Sequence, residues 1–132
     1  MGYLIDTNII IYSLKNDKSV NDKFEEYINI PKAISAITYG ELFYGAKKSK
    51  MQEKNMAVVH RISELFPIID VTKSIIETFG DLKAFLEKKG ERIDDFDLLI
   101  GSTALTMNYT LVTNNVAHFK RIPGLKIENW AR

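Results

Sequence analysis

The chain has 132 residues, enough for one domain with a single core, and its 45% apolar and 27% charged residues are typical of a globular protein. It has no cysteine, which excludes disulfides and thiolate chemistry, and no apolar run near the roughly 18 residues that span a bilayer. The net charge of +1 means that any hold on nucleic acid must come from local basic patches.

The periodicity of the apolar residues predicts short strands that alternate with helices. In chain order, the prediction is strand 3–5, helix 7–14, helix 20–29, strand 33–37, helix 38–48, helix 51–65, strand 68–69, helix 72–89, helix 95–108, strand 111–112, helix 115–120 and strand 126–128. Such an alternation needs crossover connections between parallel strands. We therefore expect an α/β fold, with one domain over residues 1–132 and a short parallel sheet of four to five strands flanked by helices.

Acidic and polar residues follow several of the predicted strands. Asp6 comes directly after the first strand, and Thr113 and Asn115 follow the fourth. Glu41 and Asp97 fall in the first turns of the helices predicted from residues 38 and 95. In an open parallel sheet, ligands bind beyond the carboxyl ends of the strands. We therefore expect these five residues to meet at one edge of the sheet.

Each of these residues also has a purely structural interpretation. Asp6 and Asn115 are candidate helix N-caps, Thr38 and Glu41 form a capping-box pattern, and Asp97 complements the positive end of its helix. Several carboxylates at one edge repel each other unless a cation neutralises them, however. Oxygen ligands favour Mg²⁺ or Mn²⁺, and such an ion suits phosphodiester hydrolysis because it lowers the pKa of a bound water.

The order and spacing of four segments form a pattern that covers nearly the whole chain. The segments are Leu4–Ile9, Ser35–Gly45, Asp97–Ile100 with Ala104, and 113–115 with Phe119, 122–125 and Trp130. The first three resemble the motifs of PIN-domain nucleases, and the last resembles the C-terminal part of VapC-type toxins. The resemblance implies a PIN-like fold.

The same resemblance implies an endoribonuclease that uses Mg²⁺ or Mn²⁺ and acts in the cytoplasm on RNA, with transfer RNA as the class that the resemblance suggests. It also implies a toxin that is neutralised by an antitoxin protein and forms a homodimer. The catalytic and metal-holding acids carried over are Asp6, Glu41 and Asp97. Three further residues fall on supporting positions near the metal: Thr7, Asn8 and Thr113.

Two residues depart from the pattern of the family. Asn115 stands where many relatives have a fourth acid, and an amide binds a cation less strongly than a carboxylate does; Asp94 is close enough in sequence to Asp97 to compensate in part. A weak or inactive RNA-binding domain is therefore one alternative. Gly101 replaces a small alanine inside a predicted helix, at a cost of roughly 1 kcal/mol.

A phosphoacceptor signalling domain is the other alternative, since its acidic pocket also lies at strand ends. Such a domain usually pairs two acids after its first strand and places a lysine after a late strand. Here the first strand ends in Asp6 alone, and the late strand runs into residues 113–115. The sequence therefore favours the nuclease.

Three basic clusters border the segments that carry the candidate site: 47–54, 88–92 and 120–121. They are either solvated helix faces or contacts for RNA phosphates, and Lys48 and Arg92 are the individual candidates. Among the aromatic residues, we expect Phe43 to lie in the core and Trp130 to pack against the domain.

Overall fold

The computed structural model describes residues 2–131; residues 1 and 132, the ends of the predicted domain, lie outside the described part. Strands and helices alternate as the sequence predicts. In chain order they are β1 (Tyr3–Ile5), α1 (Thr7–Leu14), α2 (Lys18–Glu26), β2 (Lys32–Ser35), α3 (Ala36–Lys47), α4 (Gln52–Leu65), β3 (Ile68–Ile69), α5 (Lys73–Lys89), α6 (Asp95–Met107), β4 (Thr110–Val112), α7 (Val116–Phe119) and β5 (Ile127–Glu128).

The strands form one sheet in the order β3-β2-β1-β4-β5, and every pairing is parallel. In the centre, Leu4 of β1 is in register with Ala33 of β2 and Leu111 of β4. The chain winds outward in one direction through β2 and β3, then returns to place β4 on the other side of β1. The switch point between β1 and β4 is where an open α/β sheet binds its ligands.

Alternate strand residues point to opposite faces of the sheet, and each face is covered by its own helices. Ile5 and Val112 pack with α1, α2, α3 and α4 on one face, where Trp130 is also buried as expected. Leu4 and Leu111 pack with α5, α6 and α7 on the other face. Both layers hold the strand ends firmly at the switch point.

The boundary between β2 and α3 differs from the prediction. The strand predicted over 33–37 ends at Ser35, because the Ser35 hydroxyl accepts a hydrogen bond from the backbone N–H of Thr38 at 3.0 Å and caps the helix. Ser35, and not Thr38, is the N-cap of α3, so the predicted capping box of Thr38 and Glu41 is wrong. The strand was predicted too long because the apolar run continues to Ile37. Glu41 lies in the second turn of α3, where it is not needed for capping.

Other helix ends follow recognisable caps. The helix predicted over 20–29 begins earlier, because the Asp17 carboxylate accepts a hydrogen bond from the Val20 N–H at 3.2 Å. Gly90 ends α5 with a φ of 70°, the left-handed conformation that glycine adopts readily at helix C-termini. No helix within residues 2–131 has the length and apolar character needed to cross a membrane.

The structure also explains Gly101 and corrects Phe43. A Cβ atom on Gly101 would lie 2.5 Å from Cδ1 of Ile122 and 3.4 Å from Cδ1 of Phe119, so glycine lets the Ile122 side chain pack directly against α6, and a larger residue would require that side chain to shift. Phe43 was expected in the core but is 37% exposed. Its helix turns Leu42 toward the core instead, which leaves Phe43 on the outer side.

Candidate active site

Asp6 lies at the switch point and is held by two hydrogen bonds. Only 5% of it is exposed. Its carboxylate accepts from the Thr7 backbone N–H at 2.8 Å and from the Thr113 hydroxyl at 2.7 Å. The Thr113 hydroxyl in turn accepts from the Asn115 N–H at 3.0 Å. This chain of hydrogen bonds joins the end of β1 to the end of β4. Asp6 therefore caps α1 and occupies the predicted site at once.

Glu41 reaches the same place from α3. The Thr7 hydroxyl donates a hydrogen bond to Oε1 of Glu41 at 2.5 Å and lies 3.2 Å from the Thr38 hydroxyl. Because Thr7 adjoins Asp6, this contact links the two carboxylates through one residue. Thr7 thus orients one acid with its side chain and the other with its backbone.

Asp97 completes the acidic neighbourhood from the first turn of α6, where it is half-buried. Burial raises the pKa of its carboxyl to about 6, and the negative charges of Asp6, Asp94 and Glu41 add to the increase, while His118 opposes it. Burial also raises the pKa of Asp6, against the two hydrogen bonds that lower it. The fold brings carboxylates from three distant segments into one electrostatic neighbourhood.

These carboxylates suit a hard divalent cation by charge and by ligand type. A cation would remove the mutual repulsion that raises the pKa of Asp97. Within residues 2–131, however, no three aspartate, glutamate or histidine side chains are already placed as a set of metal ligands. The structure thus brings the negative charges near one another, without three of the described side chains in the positions of metal ligands.

The remaining predicted residues lie around this cluster with different contacts. Asn8 is exposed in the first turn of α1. The carboxylate of Asp94 caps α6 by accepting from the Phe96 N–H at 3.2 Å, so it has a structural role as well as its charge. The side-chain amide of Asn115 lies 2.9 Å from Nδ1 of His118.

Sequence reasoning missed two residues beside the site. His118 is exposed on α7, and its charge acts to lower the pKa of Asp97; its position three residues after Asn115 was the available signal. Asn114 donates to the Tyr12 hydroxyl at 2.9 Å, while its Oδ1 is buried with no hydrogen-bond partner among the described residues. No local sequence pattern announces that contact.

Comparison with known proteins decides the family. The family model described as "PIN domain" matches residues 3–125. Ribonuclease VapC2 of Rickettsia felis is 42% identical, over 98% of each chain. The tRNA(fMet)-specific endonuclease VapC of Shigella flexneri is 35% identical, over 99% of each chain. The chain belongs to the VapC family of PIN-domain ribonucleases.

Solved structures show that this PIN domain shares its fold with that family. VapBC2 from Rickettsia felis, bound to a DNA fragment from its promoter, contains a chain that matches with a TM-score of 0.92 over 98% of this chain and 99% of that one, at 42% identity. DNA-bound VapBC from Salmonella typhimurium matches with the same TM-score over 99% of each chain, at 33% identity. The predicted fold class and the predicted family are both confirmed.

Two apolar grooves border Glu41 in this PIN domain. One has a volume of about 420 Å³ and lies among α1, α3 and α4, with Ile11 and Val58 in its walls. The other has a volume of about 550 Å³ and is lined by the exposed rings of Tyr44 and Phe96. Both grooves offer apolar surface beside an acidic centre.

The two predicted RNA contacts lie in different surroundings. Nζ of Lys48 is 5.0 Å from the centre of the exposed Tyr44 ring. Arg92 is exposed, and its backbone carbonyl accepts a hydrogen bond from Nη1 of Arg121 at 2.7 Å. Arg121, from the cluster after Asn115, is thereby tied to the segment that leads into α6.

Proposed function

We propose that this PIN domain is a metal-dependent endoribonuclease in which Asp6, Glu41 and Asp97 hold Mg²⁺ or Mn²⁺. The proposal is supported by the convergence of three acids at the switch point: Thr7 joins Asp6 to Glu41 by hydrogen bonds, and the burial of Asp97 and the charges of Asp6, Asp94 and Glu41 raise the pKa of Asp97. Such a cluster of like charges is stabilised by a cation. Its all-oxygen chemistry favours a hard ion over zinc.

The residues of this chain prepare the site in complementary ways. Thr113 and Thr7 fix both oxygens of Asp6, and the Thr7 hydroxyl orients Glu41. Asp97 contributes a charge that no rigid contact restrains. When bound, the metal supplies polarisation of the phosphoryl group and a lower pKa for a bound water. Hydrolysis then joins the water oxygen to phosphorus and breaks the bond to the leaving ribose oxygen, which takes up a proton.

We infer that the substrate is RNA and that the protein acts in the cytoplasm, where that RNA is found. Transfer RNA is the favoured class, because the relative from Shigella flexneri is named for its action on tRNA(fMet). Other relatives are named only as ribonucleases. Sequencing of the RNA ends produced by the purified protein would identify the cleaved molecule.

We also infer an antitoxin partner and a homodimer. The similar solved chains come from VapBC complexes, and the Klebsiella pneumoniae relative comes from a toxin–antitoxin complex. The apolar groove among α1, α3 and α4 suits an apolar segment of such a partner, in the way that amphipathic helices bind grooves. Light scattering on the purified chain would test the homodimer, and co-expression with a neighbouring small reading frame would test the antitoxin.

A catalytically weak RNA-binding domain is the alternative favoured by a specific residue. By the family resemblance, Asn115 stands where many relatives have a fourth acid, and its side-chain amide lies 2.9 Å from Nδ1 of His118. This alternative predicts RNA binding without metal-dependent cleavage.

The direct test is cleavage of total RNA by the purified protein with Mg²⁺ and with EDTA. We expect cleavage in Mg²⁺ that EDTA stops. Asp6→Asn should fold normally, but its rate of RNA cleavage should fall at least about 10³-fold, since the ion supplies several kcal/mol of transition-state stabilisation. Asp22→Asn, which removes an exposed carboxylate from α2, is the matched control and should cleave normally. Normal cleavage by Asp6→Asn would remove Asp6 from the mechanism, and equal cleavage in EDTA would contradict the metal requirement.

A further inference from the structure

A basic groove lies on the surface between the α5–α6 connection and the turn that follows α7. Its volume is about 600 Å³. It is lined by Lys89, Glu91, Ala117, Lys120, Arg121 and Pro123. Three of these six side chains are cations and one is an anion, so the groove attracts a negatively charged ligand.

Two of the cations are available to an outside partner. Lys89 lies 3.6 Å from Glu91 and so neutralises the single acid of the groove. Lys120 and Arg121 have no carboxylate within 4.0 Å in the part of the chain that the structure describes. Cations without internal partners are suited to binding phosphate groups.

Arg121 is held in place without losing its charge. Its Nη1 donates to the Arg92 carbonyl at 2.7 Å, which joins the two walls of the groove. A guanidinium has further N–H donors in a planar fork that matches phosphate oxygens. Because one donor fixes its position, less conformational entropy is lost when the others bind a ligand.

Both walls of the basic groove are connected along the chain to segments of the acidic site. One wall continues from Arg92 to Asp94, the cap of the helix that carries Asp97. The other wall belongs to the segment that starts at Asn115, whose N–H donates to the hydroxyl of Thr113. Ala117 of the groove also adjoins His118, whose charge acts on the Asp97 carboxyl, so the groove borders the acidic site.

We propose that the basic groove binds the phosphodiester backbone of single-stranded RNA beside the bond to be cleaved, with Lys120 and Arg121 each contacting a phosphate. The proposal rests on the ribonuclease function proposed above. RNA is favoured over an acidic peptide because residues that line the groove adjoin residues of the site at which a phosphodiester would be hydrolysed. The cations supply affinity and position without reading the base sequence.

Binding of a fluorescent 12-nucleotide single-stranded RNA, measured by anisotropy from 50 to 300 mM KCl, tests the groove. The Asp6→Asn background prevents cleavage during the measurement. Lys120→Gln/Arg121→Gln should weaken binding about 10-fold and reduce the slope of log K against log salt by about 1.4, because each phosphate contact on a single strand contributes about 0.7. Lys18→Gln/Lys73→Gln removes the same charge from exposed, remote positions and should keep the original slope. Equal slopes for the two double variants would overturn the proposal.

A second pair of measurements keeps the two proposals separate. If Arg121→Gln disturbs folding, the exposed Lys120→Gln alone should still reduce the slope by about 0.7, and an unchanged slope would overturn the groove. Cleavage by the Asp6-containing protein with an equal KM in both double variants would also overturn it, while leaving the ribonuclease function intact. Loss of RNA binding in the groove variant of a protein that never cleaves RNA would support the groove and contradict the function.

Discussion

Asp6 and Asp97 each contribute a carboxylate to the site, but the two side chains differ in burial and in hydrogen bonding. Asp6 is buried between β1 and β4, and both of its oxygens accept hydrogen bonds of 2.7–2.8 Å. Asp97 is half-buried at the start of α6, where burial and three negative neighbours raise its pKa to about 6; within residues 2–131 no hydrogen bond opposes them, and only the charge of His118 does. Hydrogen bonds fix the carboxylate of Asp6 in the absence of a ligand, whereas burial and negative neighbours disfavour the charged form of Asp97.

The difference indicates that the two carboxylates have different roles in binding a cation. A fixed carboxylate at the switch point defines where a cation binds, because its geometry is set by the sheet. A carboxylate that is repelled by its neighbours gains most when the cation arrives, and its unfavourable charge in the metal-free protein is a cost to stability.

The largest effect is expected from neutralising Asp97. Asp97→Asn should lower RNA cleavage about 10³-fold, by loss of a proposed metal ligand. It should also raise the free energy of unfolding of the metal-free protein at pH 7 by about 1–2 kcal/mol, discounted for the water that reaches this half-buried group. Thermal unfolding in EDTA measures the second effect. Asp95→Asn is the control. It removes an exposed carboxylate that lies on α6, as Asp97 does, and pairs with Lys83 of α5, and it should not stabilise the protein.

The pH dependence of that stabilisation has a definite sign. The pKa of Asp97 is raised from 3.8 to about 6, so the folded protein binds more protons than the unfolded chain between those values. The wild-type protein should therefore lose stability relative to Asp97→Asn as the pH rises from about 4 to 6, and the difference should level off above pH 7. A difference that is constant from pH 4 to 7 would contradict the raised pKa.

An intermediate effect is expected from loosening Asp6. Thr113→Val keeps the shape of the side chain but removes the hydroxyl that donates to Asp6 and accepts from Asn115. It should destabilise the protein by about 1–3 kcal/mol, since a buried acceptor and a donor lose their partner. Cleavage should fall about 10-fold, because the position of the carboxylate is less fixed. Thr110→Val, at the other end of β4, is the buried control; equal losses of activity in both variants would show that the Thr113 hydroxyl has no special role.

The smallest effect is expected from restoring the fourth acid. Asn115→Asp adds a negative charge near the cluster, so it should lower metal-free stability by about 0.5 kcal/mol and raise affinity for Mn²⁺ a few-fold. Thermal unfolding with and without Mn²⁺ measures both changes. An unchanged shift with Mn²⁺ would mean that residue 115 does not face the ion.

Much of the fold was predictable because the periodicity of apolar residues is local information. Buried runs such as Tyr3–Ile5 and Thr110–Val112, separated by helices, predict parallel strands, and parallel strands bring Asp6 near Thr113. The end of β2 was misplaced because Ser35 caps α3 inside an apolar run, a choice between two local patterns that packing decides. Phe43 was misplaced for a similar reason, since helical spacing alone does not say which side of α3 meets the sheet.

Contacts between distant segments were beyond the reach of the sequence. His118 affects the pKa of Asp97, and Arg121 donates a hydrogen bond to the Arg92 carbonyl. Both interactions depend on how the segments after β4 pack against the start of α6. The sequence supplied the three acids, but the unequal settings of Asp6 and Asp97 follow only from the folded chain. The basic groove, too, is formed by cations that lie 31 residues apart, at Lys89 and Lys120.

Direct binding of Mn²⁺ to the purified protein, by titration calorimetry at pH 7.5, tests the central claim that carboxylates from three segments hold one cation. We expect saturable binding by the wild-type protein that is abolished in Asp6→Asn and in Asp97→Asn and retained in Asp22→Asn. Wild-type affinity in either of the first two variants would contradict it.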